Sequence, residues 1–400
     1  MILFSRTALI DPEIQLSAQR LSTRFSFFGL GFATAAWAPL IPFAQQRLHF
    51  NHADFGLLLL CGGLGAMLAM PATGKIVQRI GCRVPIGFAL LLLAVLLPSL
   101  SLLSTPLMMA ITLFLFGTAA GSLGVALNIQ AVVVEKNSLK SLMSGFHGMA
   151  SLGGLAGVLT ITALLALSIS SVISAFAVSL LLVIIVFLSV PYNIKAVENT
   201  LLEASSKVKK SIRQRLPQPL IILIGITCFI IFMTEGAAMD WSGIYLTQQY
   251  GVNAAFAGLA YTFFAIAMTT GRFTGHYLIR YFGEKKLLTF SAICATLGLV
   301  LVSIAPHWWL VLVGYTLVGT GCSNIVPIMF SRAGRQTVMP SAVALSCVST
   351  LAYTGILVGP AFIGMIGELI GLKTVFMALS GLLLLICLLY TSDAADDTPC

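Results

Sequence analysis

Two carboxylates stand where a carboxylate is costly. Glu235 lies well inside an apolar stretch that begins near Pro219, and Asp240 follows one and a half helical turns later. An ionisable group inside a membrane-crossing segment marks an ion or solute path by default. Counting about 1.5 Å per helical residue from Pro219 puts Glu235 roughly 24 Å along, in the outer half of a bilayer. Asp240 then falls about 7–8 Å further, near the outer interface. On a helix the two side chains point about 140° apart, so they are not placed to share a proton. Two readings stand for Glu235: a proton or cation site facing a central cavity, or a carboxylate capping a helix break at Gly236. Asp240 reads as an outer-end residue that positions Trp241 or a neighbouring loop.

A second polar group lies nearer the other surface. Asn128 and Gln130 come late in one apolar stretch and His147 early in the next, so a short connection brings all three to one mouth. Histidine changes charge near physiological pH and suits proton release. Its alternative role, shared with Asn and Gln, is hydrogen bonding between helices. Trp37 sits at a depth similar to Glu235, and Ser349 and Tyr353, one turn apart, add a polar stripe. With Asn324 they form a candidate cavity wall, where Trp37 and Tyr353 would stack on a ring-shaped solute; core packing is the alternative for each aromatic. Arg272 reads as a structural residue near a helix end whose charge snorkels to the surface.

The elements that position these residues follow from composition. The chain has 400 residues, is 58% hydrophobic and 9% charged, and has a mean hydropathy of +1.01. Soluble domains carry about 25% charged residues. A spanning helix needs roughly 20 apolar residues. Twelve such stretches are expected, near 23–46, 54–74, 84–104, 107–134, 143–167, 170–190, 219–246, 254–275, 286–305, 307–329, 341–366 and 372–390. Helix is required, because backbone polar groups in lipid must be satisfied internally and barrel strands would alternate polar and apolar residues.

Of the 22 Lys and Arg residues, all but Arg47 and Lys373 lie in the N-terminal segment up to Arg24 or in and immediately beside every second gap. Cationic residues flanking spans stay cytoplasmic, so both termini of this multi-pass protein are expected there. The net charge of +9 is not a nucleic-acid signal, since the cations sit in separate short loops. Attraction to the lipid bilayer explains it. No HExxH, GxSxG, phosphate-cradling loop or CxxC pair occurs, so the reading assigns no catalytic residue, metal or cofactor, and no enzyme activity.

The two halves repeat. Thr73-Gly74 recurs as Thr274-Gly275, Arg79 as Arg280, and Gly117-Thr118 as Gly319-Thr320, at nearly one offset. The expected organisation is a six-helix bundle over 1–190, a cytoplasmic linker over 191–218, a second bundle over 219–392 and a tail over 393–400. The run from Cys387 to Asp397 looks like translated adaptor sequence, so the tail is set apart from the fold. Parallel six-span repeats describe the major facilitator architecture.

The loop from Gly74 to Arg83, with Gly81 and its basic positions, resembles the signature loop between spans 2 and 3 of major facilitator transporters. Gln78 stands where that family usually has an acid. The blocks Ala126-Leu127-Asn128, Gly145-Phe146-His147-Gly148, Glu235-Gly236, Asp240-Trp241, Gly271 to Gly275 and Gly359-Pro360 are similar to a branch of bacterial inner-membrane transporters in that family. The resemblance implies an all-α protein of twelve transmembrane helices in two pseudo-symmetric bundles. It implies gating or structural roles for Gly74, Arg79, Gly81, Arg83, Gly275 and Arg280. The expected function is secondary active transport of a small, neutral or weakly polar organic solute by a monomer, through alternating access, with Glu235 and His147 as the candidates for proton coupling. An uncoupled facilitator, an exporter of drugs or metabolites, and a membrane sensor that binds solute without moving it are the alternatives.

Overall fold

The computed structural model describes residues 12–138, 142–195, 219–336 and 341–392. Helices account for nearly all of them, and no strand occurs among the described residues. Span 1 is Pro12–Ala35 continued by Ile41–Leu48, and spans 2 to 6 are His52–Ile80, Arg83–Leu102, Pro106–Ser138, Met143–Ala166 and Ser171–Ser189. Spans 7 to 12 are Pro219–Tyr250, Leu259–Phe282, Glu284–Ile304, Trp308–Arg335, Ser341–Ile370 and Leu372–Ser392. Among the described residues, eleven spans are long and apolar enough to cross a bilayer; the described apolar part of span 12, Leu372–Leu385, is shorter.

Span 1 departs from the expected single helix over 23–46. It starts earlier, at Pro12, and breaks through a 3-10 turn at Ala38–Leu40. Pro39 and Pro42 cause the break, since neither can donate a backbone hydrogen bond to the preceding turn. Other ends are capped locally. Asn51 accepts from the Asp54 backbone at 2.8 Å and Ser170 from Ile173 at 3.3 Å. Arg47, an exception to the charge sorting, is explained by capping: it donates to the Leu100 and Leu103 carbonyls at 2.6 and 2.8 Å, at the end of span 3.

The sequence repeat is also a packing repeat. In the first half span 1 packs on span 5, span 2 on span 4, and span 3 on spans 4 and 6. In the second half span 7 packs on span 11, span 8 on span 10, and span 9 on spans 10 and 12. The repeated glycines serve these matched contacts. A Cβ on Gly117 would run into the Gly62 carbonyl of span 2, and one on Gly319 into the Phe264 carbonyl of span 8. Gly81 and Gly283 end spans 2 and 8 with φ of 78° and 79°, a region L side chains rarely adopt.

The solvated linker expected from 191 starts later. Val190–Tyr192 form a 3-10 turn, and Asn193 and Ile194 are buried on the first half. The Cys82 and Arg83 backbones donate to the Ile194 carbonyl at 3.0 and 2.9 Å, fixing the loop between spans 2 and 3. The remainder of the expected linker, 196–218, and the tail, 393–400, lie outside the described residues.

The halves meet along two seams related by the repeat, span 2 against span 11 and span 5 against span 8. We call the end that carries most cations the basic end and the other the far end. Polar contacts across the halves cluster at the far end. His52 of span 2 donates its backbone N–H to Glu368 Oε2 of span 11 at 2.9 Å, and its ring Nε2 lies 2.6 Å from Gln248 Oε1 of span 7. Gln248 donates in turn to Gln45 Oε1 of span 1 at 3.1 Å. At the basic end the described contacts stay within a half: Arg20 with Ser138 at 2.8 Å, and Glu284 with Arg335 and Arg332 at 2.6 and 3.6 Å.

Candidate functional site

Span 7 is one unbroken helix, so Glu235 caps no break at Gly236 and that reading is withdrawn. The helix also runs past its expected end to Tyr250, which places Glu235 near its midpoint rather than in its outer half. Its partner is Arg272. The guanidinium approaches Glu235 Oε1 at 3.3 Å, and the Arg272 and Glu235 side chains are 34% and 17% exposed. Arg272 does not snorkel. Span 8 continues to Phe282, well past the expected boundary at 275, so Arg272 is itself at mid-depth, about 15 Å from the helix end. A paired charge at that depth is better satisfied than a free one, and the carboxylate supplies the pairing.

The same guanidinium donates to Ser151 Oγ of span 5 at 3.4 Å. The site therefore spans both halves: Glu235 and Arg272 come from the second, Ser151 from the first. His147 lies one turn before Ser151 on the same helix face. It is exposed, sets its ring edge-on to Phe27 at 5.3 Å, and lies within electrostatic reach of Arg272. Small residues permit this seam, with Gly148 of span 5 pressed against the Phe273 ring of span 8. Ser151 was not singled out in the sequence, although its spacing from His147 was the signal available.

Other candidates separate. Asn128 and Gln130 do not converge, because two residues on a helix point about 200° apart. Gln130 is fully buried at the basic end, donates to Thr23 and Asn193 at 3.0 and 2.6 Å and accepts from the Ile194 backbone at 3.2 Å. Ser22 and Ser26 complete this knot around Asn193. Gln130 is thus a fastener of the first half and not a cavity group. Asn128 is half-buried and has no hydrogen bond among the described residues.

Asn324 is 5% exposed and donates to the Gly271 carbonyl at 3.1 Å, while a Cβ on Gly275 would strike its Oδ1. It joins spans 8 and 10 and gives the glycines of the Gly271–Gly275 block their reason. Gly74, the repeat partner of Gly275, faces open space. Arg79 and Arg280 are exposed in the last turns of spans 2 and 8, and Arg83 opens span 3. Trp37 is 4% exposed in the break of span 1, whereas Tyr353 is 49% exposed beside Phe232 at 5.9 Å. Only Tyr353 offers a ring face here, with half-buried Ser349 one turn away.

Asp240 is not a surface residue. Because span 7 extends to Tyr250, it lies about 15 Å inside the far end, and it is 6% exposed. Trp241 is fully buried and seals the halves at that end, edge-on to His52 at 5.8 Å and to Phe55 at 6.4 Å. Among the described residues no cluster of three or more His, Cys, Asp or Glu is placed to hold a metal ion.

Two matched six-helix halves around a central polar site are the arrangement of a known transporter family, and residues 24–330 and 224–399 match the Major Facilitator Superfamily. The chain belongs to the major facilitator superfamily. An uncharacterised MFS-type transporter of Yersinia pestis is 42% identical over 94% of this chain and 95% of its own length. The membrane protein MosC of Rhizobium meliloti is 31% identical over 87% of this chain and 83% of its own. The crystal structure of the nucleoside transporter NupG superposes with a TM-score of 0.73 at 15% identity, over 94% of this chain and 98% of that one, which establishes a common fold. As a major facilitator protein the chain is a multi-pass membrane transporter and not an enzyme.

Proposed function

We propose that this transporter carries a small organic solute by alternating access and couples its movement to protons at Glu235. The observation that carries the reading is the mid-depth ion pair between Glu235 and Arg272, tied by Ser151 to the opposite half. A proton on Glu235 removes the carboxylate charge and frees the guanidinium to donate to a solute oxygen. Losing that proton restores the pair and expels the solute's acceptor. Proton binding and solute binding thus favour the same state, which is the requirement for coupling. The pair also refines the solute class, since Arg272 supplies a cation at mid-depth. A small solute with a hydroxyl, carbonyl or single carboxylate acceptor fits, with Tyr353 as a flanking ring.

The far-end contacts of His52, Gln248 and Trp241, set against basic-end contacts that stay within each half, support a state sealed at the far end. Sorting of cations supports the basic end as cytoplasmic, with both termini there, and the bacterial relatives support a bacterial inner membrane. The conformation is then inward-facing, and rocking of one bundle against the other reverses it.

The test is uptake of a metabolite panel into proteoliposomes with and without an acid-outside gradient. Glu235→Gln is expected to abolish gradient-driven accumulation while keeping solute exchange at zero gradient. Unchanged accumulation and pH dependence in Glu235→Gln would reject coupling at this residue and assign it to another group, whereas a native protein that equilibrates solute without accumulating it under the gradient would be a facilitator.

A further inference from the structure

Asp240 is a buried titratable group that the Glu235–Arg272 pair does not use. It is 6% exposed, and among the described residues it makes no hydrogen bond and no ion pair. The elements packed against span 7 bring it no free cation. Arg47 on span 1 is spent on two carbonyls, Arg272 on span 8 is held by Glu235, and Arg332 and Arg335 on span 10 pair with Glu284, while His276 and Arg280 of span 8 are exposed toward its basic end, more than a turn past Arg272. Lys373 is exposed in the first turn of span 12. Tyr261 on span 8 interacts electrostatically with both Asp240 and Glu235 and adds no positive charge; the same holds for Tyr315 on span 10 and for Glu368 on span 11, which is bonded to His52. An isolated carboxylate charge in so dry a place is disfavoured, and such a group neutralises by holding a proton.

Its position supplies a purpose. The next residue, Trp241, is the ring that seals span 7 against His52 and Phe55 of the opposite half. Asp240 therefore sits one residue, about 1.5 Å along the helix axis, on the basic side of the sealing Trp241, whereas Glu235 lies about 7.5 Å further toward the basic end and is partly exposed. Parting Trp241 from span 2 would wet Asp240 from the far side. We infer that Asp240 is a second proton-binding site, loaded from far-side water when the Trp241 seal opens and holding its proton while the seal is shut. Loading forms one O–H bond on a carboxylate oxygen with a proton from bulk water; nothing is oxidised or reduced. The inference adds to the proposed coupling and does not depend on whether Glu235 itself cycles.

Infrared spectroscopy of the full chain in lipid tests it with protons as the only ligand. At neutral pH the protein is expected to show a protonated-carboxyl carbonyl band that disappears in Asp240→Asn and persists in Glu235→Gln. Exchange of that band into D2O is expected to quicken in Trp241→Ala. Should Asp240→Asn fail to fold, Asp240→Glu must shift the band. Absence of any such band in the native protein overturns the inference, as does a band that survives Asp240→Asn. A band lost only in Glu235→Gln assigns the proton to Glu235 and overturns the Asp240 site while leaving the coupling proposal intact.

Discussion

Arg272 on span 8 and Glu235 on span 7 form an ion pair at 3.3 Å, at the mid-depth of both helices. Neither residue is a neighbour of the other in sequence, and the pair exists because spans 7 and 8 run antiparallel with both residues near their centres. Its partial exposure weakens it relative to a fully buried pair and leaves it open to protons and solute.

If the pair acts as a unit, its two members are not additive. Arg272→Gln alone strands the Glu235 carboxylate and is expected to lower thermal stability in detergent. Adding Glu235→Gln is expected to recover part of that loss, with a coupling of about 1 kcal/mol. Strictly additive melting shifts across the four proteins would show that the two side chains do not sense each other.

Gly275 and Gly74 occupy equivalent places in the repeat but meet different surroundings. Gly275→Ala drives a methyl group into Asn324 and is expected to cost about 1–3 kcal/mol, as overpacking does. Gly74→Ala meets nothing within 4 Å and is expected to stay within about 0.5 kcal/mol of the parent. Asn324→Ala in the Gly275→Ala background is expected to relieve the clash. Equal shifts for the two glycine variants would contradict the asymmetry.

The Trp241 seal predicts a change in access. Trp241→Ala removes a fully buried ring and is expected to cost about 3–5 kcal/mol. A cysteine placed at Phe55, which is fully buried, is expected to resist an impermeant thiol reagent added at the far side when Trp241 is present. In Trp241→Ala it is expected to react, in a background whose other accessible cysteines are serine. Equal labelling with and without Trp241 would place the seal elsewhere.

Much of the architecture was legible because it is one-dimensional. Apolar length sets a span, alternate cations order the spans across the membrane, and the glycine pairs at Gly117 and Gly319 carry the repeat. Span ends were less legible. Hydropathy falls off where a helix turns amphipathic, so spans 7 and 8 were cut short, and that error moved Glu235 toward one side, put Asp240 at the surface and sent Arg272 to an edge. The broken span 1 was signalled by Pro39 and Pro42, yet the apolar run hid it.

The sequence by itself determined that this chain crosses a bilayer in two matched sets of helices, because the cost of burying charge and unpaired backbone in lipid is paid residue by residue. Only the tertiary structure decided which polar groups meet. Gln130 meets Thr23 and Asn193 while Asn128 does not, Arg272 finds Glu235, and Asp240, next to Trp241, finds no cation. Those outcomes depend on helix rotation and crossing between segments far apart in the chain, and a sequence read one span at a time carries no term for either.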